Sequence, residues 1–249
     1  MTSIRLALVA LLISFFGWIN NINAAEIRVL SSNAMREVLL DAAPNFEKLS
    51  GNKVSMTFIG SVDILNRLRS GDKSADIIVL QISSIEELMA EGIVTRGSRT
   101  DIARSLVGAA VRAGAPHPDI SSGDALKSTL LATKSTVVSS GPSGAYMLKL
   151  FERMGIPRDQ YTQAKPGVQT GTLVARGEAE LCFQQVSELL PVKGIDFLGP
   201  LPTDVGHVTV FASGLHSNSQ TTQTSREFIQ YLTSPAARPI LQAKGMEPN

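Results

Sequence analysis

The stretch Ile27-Arg28-Val29-Leu30-Ser31-Ser32-Asn33-Ala34 is an apolar strand pattern that ends in small and polar residues, just before a helical pattern begins. Three further segments repeat this design: 54–58 before Gly60-Ser61, 137–138 before 139–144, and 165–168 before 169–172. Each segment predicts a strand, a turn and the first turn of a helix. Free backbone N–H groups at a helix start attract anions, and the hydroxyls and amides of these turns add further donors. The pattern therefore predicts a site that clamps an anion between several helix starts.

Strand-like and helical patterns alternate along the rest of the chain, which predicts an α/β fold with largely parallel sheets. Helical spacing covers 35–50, 62–69, 85–90, 145–154, 171–176, 225–232 and 236–243, and strand-like runs cover 75–80, 106–111, 181–183 and 207–212. Gly51 is expected to end the first helix, and Pro44 predicts a kink or a break inside it.

The N-terminal segment has the pattern of a secretory signal peptide. Arg5 precedes an apolar run over 6–19, and Ala24 and Ala25 offer small residues for cleavage. The apolar run is shorter than the roughly 20 residues that a membrane span needs. We therefore predict a signal peptide over 1–24, export to the periplasm and no stable membrane anchor after cleavage.

The composition excludes several classes of partner and site. The net charge is +1, aromatic residues make up 5 % of the chain and no basic cluster is visible, so neither nucleic acid nor an anionic membrane surface is expected to bind. Cys182 is the only cysteine, which excludes an intramolecular disulfide and a zinc site of cysteine ligands. Its apolar neighbours predict a buried structural thiol. The sequence has no nucleophile elbow, phosphate loop or HExxH motif, and we expect no metal and no cofactor.

Landmarks of one protein family follow each other in order along almost the whole chain. They lie at 29–35, 46–51, 60–61, 75–77, 88–94, 142–144 and 177–180. Through them, residues 26–246 resemble the molybdate-binding branch of the periplasmic solute-binding proteins of type II. The resemblance implies two α/β lobes with mixed sheets flanked by helices, two crossover strands, and a ligand cleft that closes by a hinge motion.

The same resemblance implies where the lobes begin and end. The first lobe would comprise 25–108 and 213–249, the second 109–205, and the crossings would lie near 106–111 and 207–213. It also implies a monomer that captures a small anionic ligand in the periplasm and delivers it to an ABC permease.

Alignment on the family's motifs gives an expected set of ligand-binding residues. They are Ser32, Asn33, Ser61, Ser143, Tyr146, Gln185 and, through its backbone N–H, Val168.

The sequence departs from the family at two side-chain donors. Ala34 stands where molybdate binders have their first serine, and Gln185 stands where they have a tyrosine. Each unpaired buried acceptor costs about 1–3 kcal/mol, so these changes should weaken molybdate binding. The Gln185 amide suits a planar carboxylic acid, because it offers both a donor and an acceptor. We therefore expect an organic carboxylate rather than a molybdate-type oxyanion; molybdate stays open if the Ser32 hydroxyl replaces the missing one.

Simpler interpretations of these residues also stay open. Ser31, Ser32 and Asn33 could be plain helix caps. The pair Gln184-Gln185 could be an exposed strand end, and Tyr146 could pack inside its lobe.

An enzymatic alternative rests on a second resemblance. Gly141-Pro142-Ser143-Gly144 and Phe183-Gln184-Gln185 are similar to segments of the aconitate isomerases, periplasmic relatives of the molybdate binders that interconvert cis- and trans-aconitate. That reaction is an allylic proton shift and needs a base and an acid in the cleft. The candidates in the sequence are His117, Tyr146 and Glu188, and the catalytic residues stay unassigned at this point.

Overall fold

The computed structural model describes residues 24–249, so the predicted signal peptide lies, except for its last residue, outside the described residues. The strands are β1 (Glu26–Ser32), β2 (Lys53–Ile59), β3 (Ile77–Gln81), β4 (Thr100–Arg112), β5 (Thr136–Val138), β6 (Tyr161–Gln163), β7 (Leu181–Gln185), β8 (Ile195–Pro200), β9 (Val208–Leu215) and β10 (Met246–Pro248). The helices are α1 (Arg36–Ser50), α2 (Ser61–Arg69), α3 (Ile82–Ala90), α4 (Gly123–Ala132), α5 (Pro142–Met154), α6 (Thr170–Ala175), α7 (Val186–Leu189), α8 (Thr222–Leu232) and α9 (Arg238–Ala243), with 3₁₀ turns at Asn33–Met35 and Arg158–Gln160. None of the helices formed by residues 24–249 combines the length and the apolar character that crossing a membrane requires.

The strands form a mixed sheet in the order β2-β1-β3-β9-β4-β7-β5-β6, with β8 and β10 also paired to β4. Strand β4 connects its two halves. From Thr100 to Leu106 it pairs with β9, and from Val107 to Arg112 it pairs with β7 and β8. The chain returns from β8 to the first half through β9. This is the two-lobed α/β architecture that the resemblance implies, whereas the residue boundaries of the lobes stay a prediction.

Each half of the sheet has apolar cores on both faces, because alternate side chains of a strand point in opposite directions. In β1, Ile27 and Val29 pack in one cluster and Leu30 packs in another. In β7, Phe183 packs in a third cluster and Cys182 in a fourth. Cys182 is buried, and burial raises the pKa of its thiol to about 12. The predicted burial of this thiol is confirmed.

The structure corrects two local predictions, a break of the first helix at Pro44 and a strand over 165–168. Helix α1 continues through Pro44 without a break, ending at Gly51, whose φ of 76° is the left-handed conformation predicted for that end. The proline removes only one donor from the helix, and the carbonyl that loses it belongs to the partly exposed Leu40. The segment 165–168 forms a turn rather than a strand, and β6 lies before it. Pro166 has no N–H for a sheet ladder, and Gly167 has a φ of 77°.

The parallel strands β1 and β2 of one lobe and β5 of the other end at turns that the sequence singled out, and the neighbouring parallel strand β7 ends at Gln185. Ligands of open α/β sheets bind beyond the carboxyl ends of such strands. The fold therefore brings these turns from both lobes to one cleft.

Candidate functional site

A small cleft lies between the two lobes, with a cavity volume of about 40 Å³. Its lining is Ser32, Asn33, Ala34, Gly60 and Ser61 from the first lobe, Ser139, Ser140, Gly141, Pro142, Gly167, Val168, Gln184, Gln185 and Glu188 from the second, and Phe211 from β9. The cleft adjoins a larger outer groove of about 830 Å³, with which it shares Asn33, Gly60, Gly167 and Val168.

Ser32 ends β1 with its hydroxyl in the cleft region. The residue is 3 % exposed, and its Oγ has no hydrogen-bond partner among the described residues. It stands at the N-cap of the following 3₁₀ turn without making a side-chain capping bond, and the neighbouring Ser31 hydroxyl donates to its carbonyl at 3.1 Å. Ser32 is therefore not a plain helix cap. An unpaired buried hydroxyl is costly, so this position suits a ligand that completes the bond.

Gln185 ends β7 and is 1 % exposed. Its Nε2 donates to the Thr209 hydroxyl at 2.8 Å, whereas its Oε1 has no hydrogen-bond partner in the described part of the chain. Gln184 is equally buried. The interpretation of this pair as an exposed strand end is therefore wrong.

Gln184 is the centre of a chain of hydrogen bonds. Its Oε1 accepts from the backbone N–H of Thr170 at 2.8 Å and from the Thr170 hydroxyl at 2.7 Å, and its Nε2 donates to Oε1 of Glu188 at 2.8 Å. The two bonds from the start of α6 determine which end of the Gln184 amide carries the oxygen. They therefore determine that Gln184 offers N–H to Glu188.

Glu188 lies one helical turn after Gln184, in the short helix α7. Glu188 is partly buried and lines the cleft. Burial raises the pKa of this carboxyl to about 7, and the bond from Gln184 acts in the opposite direction. Near neutral pH the group can thus be either a base or an acid.

Five predicted ligand residues line the cleft: Ser32, Asn33, Ser61, Val168 and Gln185. Ser61 is the first residue of α2, after Gly60, and is largely buried. Val168 lies at the mouth, and its N–H donates to the Lys165 carbonyl at 3.1 Å. The predicted Val168 donor is thus already used within its turn.

The other two predicted residues have different surroundings. The Ser143 hydroxyl is buried and forms a hydrogen bond with the Ser139 hydroxyl at 2.8 Å. The backbone N–H of Ser143 lies in the first turn of α5, so it is this group that fits the predicted donor. Tyr146 lines a neighbouring groove instead of the cleft. Its hydroxyl donates to the Val205 carbonyl at 2.8 Å, and its ring stacks on His207 at 4.3 Å.

The histidine named as a candidate for proton transfer also lies elsewhere. His117 is exposed, and its Nε2 lies 3.1 Å from Oδ2 of Asp196. Of the three candidates, only Glu188 lines the cleft.

Glycines allow the two lobes to meet at the mouth of the cleft. A Cβ at Gly60 would lie 3.0 Å from the backbone nitrogen of Gly167 and 2.9 Å from Oδ2 of Asp63. Larger residues at position 60 would therefore hold the lobes apart.

Three basic and two acidic side chains line the outer groove, which gives this lining a net charge of +1. Its basic residues are Arg36, Arg176 and Lys193, and its acidic residues are Glu37 and Asp63. Sequence reasoning did not assign these residues to the site, nor did it assign Phe211, because their proximity arises only from the meeting of the lobes.

Two α/β lobes connected by crossing strands, with a cleft at the carboxyl ends of parallel strands, define the class of the periplasmic binding proteins. The chain belongs to the bacterial extracellular solute-binding proteins, because the model of that family matches residues 27–247.

Among individual proteins, the aconitate isomerase of a Pseudomonas species is 36 % identical over 251 residues, which cover 98 % of this chain and 95 % of the relative. The periplasmic molybdate-binding protein of Azotobacter vinelandii superposes with a TM-score of 0.74 at 17 % identity, over 88 % of this chain and 98 % of that chain. The sulfate-binding protein SubI of Mycobacterium tuberculosis H37Rv superposes with a TM-score of 0.72 at 16 % identity, over 90 % and 87 % of the two chains. The two superpositions establish the fold, and the aconitate isomerase is similar in sequence along almost its whole length.

Proposed function

We propose that the cleft binds a small organic carboxylate and that the chain is an aconitate isomerase. The observation that carries this proposal is a pair of buried atoms beside one cleft, Ser32 Oγ from one lobe and Gln185 Oε1 from the other, for which residues 24–249 supply no hydrogen-bond partner. The full-length similarity to an aconitate isomerase supports the choice of ligand and reaction.

A carboxylic acid satisfies these atoms better than a tetrahedral oxyanion does. The Gln185 carbonyl can accept from a ligand hydroxyl or a protonated carboxyl. Rotation of the amide by half a turn would instead present its NH₂ to a carboxylate, and Thr209 could then donate to the carbonyl. Ala34 offers no hydroxyl where the molybdate binders have one.

Basic side chains in the outer groove could bind the carboxylates of a tricarboxylate that do not enter the inner cleft. Arg36, Arg176 and Lys193 line it, and Asn33 and Val168 connect it with the inner cleft. One carboxyl group would bind at the helix starts inside, and the others would lie towards these cations.

The second candidate function is capture of the same kind of anion for an ABC importer. The family match over 27–247 supports it, because it covers both lobes and both crossing strands. In this case a permease would be the partner and the hinge would release the ligand to it. With either function, we propose that the protein is exported to the periplasm and is a monomer.

The test is a ligand screen of the chain without the predicted signal peptide. Thermal unfolding is measured with molybdate, tungstate, sulfate, phosphate, citrate, cis-aconitate and trans-aconitate, and each aconitate is then followed by proton NMR for conversion to the other. A ligand at about 100 times its dissociation constant adds about 2.7 kcal/mol to the free energy of unfolding. Stabilisation and conversion support the isomerase, and stabilisation by a tricarboxylate without conversion supports the binding protein. Stabilisation by molybdate or tungstate alone would overturn the carboxylate assignment.

A further inference from the structure

We infer that Glu188 carries the proton in the isomerisation, through its Oε2 atom, and that Gln184 positions it. The inference rests on the proposed isomerase function and adds to it the catalytic residue, the reacting atom and the positioning residue.

The hydrogen bonds around Gln184 decide which carboxyl oxygen reacts. Because Thr170 donates twice to Gln184 Oε1, the Gln184 amide can offer only N–H to Glu188. Oε1 of Glu188 accepts that bond at 2.8 Å and must stay an acceptor. A proton added to Glu188 therefore resides on Oε2, for which the described residues supply no hydrogen bond.

Among the described residues, the rest of the inner cleft provides no competing acid or base, whereas the carboxylates Glu37 and Asp63 line the outer groove. Within the described part of the chain, Glu188 is the only ionisable side chain that lines the inner cleft. No salt bridge among residues 24–249 involves it, and no neighbouring charge contributes to its raised pKa, which burial causes. The remaining lining groups are hydroxyls, amides and backbone, which can bind carboxylates but do not exchange protons with carbon near neutral pH.

One carboxyl group can carry out both proton transfers of the isomerisation. Oε2 takes a proton from the methylene carbon of aconitate, and the electron pair of the broken C–H bond forms a new double bond to the central carbon. The electrons of the old double bond then form a C–H bond at the former vinyl carbon with a proton from Oε2. The base becomes the acid and returns to its starting state, so no cofactor or oxidant is consumed. The negative charge that develops on the ligand carboxylates lies beside the donors at the helix starts.

The test compares Glu188→Gln with Glu152→Gln, a control on the exposed face of α5. Glutamine keeps the size of the side chain and an oxygen for the Gln184 bond, but it cannot accept a proton from carbon. We expect Glu188→Gln to lower kcat for aconitate conversion by at least about 100-fold, while citrate still raises its unfolding temperature. We expect Glu152→Gln to keep the wild-type kcat.

The outcomes separate this inference from the proposed function. Wild-type conversion together with full activity of Glu188→Gln would overturn the role of Glu188 and leave the isomerase standing. Absence of conversion by the wild type would overturn both. If Glu188→Gln does not fold, the wild-type pH profile decides: kcat that rises through about pH 7 supports the inference, and kcat that is constant between about pH 5 and 8 overturns it.

Discussion

Gln185 donates from Nε2 to the Thr209 hydroxyl at 2.8 Å, and this bond connects the end of β7 with β9. Gln185 also lies opposite Val107 in the pairing of β7 with β4. Gln185 thus contacts β9 through its side chain and pairs with β4 through its backbone, and it lines the cleft. Ligand binding at Gln185 and movement of the lobes are therefore expected to be coupled.

The first prediction concerns this residue. Gln185→Ala should weaken binding of citrate or aconitate by about 10-fold or more, because it removes a ligand contact and leaves Thr209 without its partner. Isothermal titration measures the dissociation constant, and Gln230→Ala, an exposed glutamine of α8, is the control. Equal affinity of the two variants would remove Gln185 from the site.

Ser32→Ala should separate ligand binding from stability. The Ser32 hydroxyl has no partner in the described protein, so its loss should leave the free energy of unfolding without ligand unchanged or slightly raised. Stabilisation by citrate should decrease by about 1 kcal/mol or more. Urea unfolding with and without citrate measures both quantities, and Ser128→Ala on the exposed face of α4 is the control. A loss of stability without ligand would mean that Ser32 has a structural role.

Substitutions of Gly141 and Gly144 test how closely the backbone packs at the start of α5. A Cβ at Gly144 would lie 1.6 Å from the Ser139 carbonyl oxygen, whereas a Cβ at Gly141 would have 4.0 Å to its nearest neighbour. Gly144→Ala should therefore lower the free energy of unfolding by at least about 3 kcal/mol. Gly141→Ala should lower it by less than about 1 kcal/mol. Denaturant unfolding distinguishes them, and similar losses in both variants would show that the turn tolerates the methyl group.

The strand-turn-helix units could be predicted from sequence because their signals are local. The apolar pattern of β1, the turn after it and Gly51 at the end of α1 lie within one continuous segment. Ser32, Asn33, Ser61 and Gln185 were predicted by alignment on the family's motifs, and all four line the cleft. Elements without periodicity were missed, such as α7, which is only four residues long. The first half of β4 was missed because a bulge between Asp101 and Ala103 interrupts its alternation.

The chemistry of the cleft could not be predicted, because it depends on contacts between distant segments. The bonds of Gln184 to Thr170 and of Gln185 to Thr209 bridge separate elements. The sequence named Glu188, Tyr146 and His117 as candidates for proton transfer and assigned the role to none of them. Only the folded chain places Glu188 in the cleft and the other two outside it.

Asp76 should be a main source of stability in the first lobe. It is fully buried and accepts from Nε of Arg28 at 2.9 Å, from the Arg28 N–H at 3.0 Å and from the Ser219 hydroxyl at 3.0 Å. Burial alone would raise its pKa, but these hydrogen bonds outweigh burial and hold the pKa below its usual range. Asp76→Asn should therefore lower the free energy of unfolding at pH 7 by about 2 kcal/mol, and the difference should shrink as the pH falls through the lowered pKa of Asp76. Urea unfolding at several pH values measures it, and a difference that does not depend on pH would contradict this account.

Glu188 should have the opposite effect on stability. Its pKa is about 7 in the folded protein against 4.5 for an unperturbed glutamate, so the folded state binds the proton more tightly than the unfolded state does. The contribution of Glu188 to the free energy of unfolding should thus be highest below about pH 4.5. It should fall as the pH rises to about 7, because the unfolded state loses this proton first and ionisation is unfavourable in the buried position. Glu188→Gln stays neutral, so it should be more stable than the wild type by about 1 to 3 kcal/mol at pH 8 and nearly equal to it at pH 4.5. Urea unfolding of both proteins at the two pH values measures this difference, with Glu152→Gln as the exposed control. A constant difference would mean that Glu188 does not titrate near neutrality, and its role as a proton carrier would then lose its physical basis.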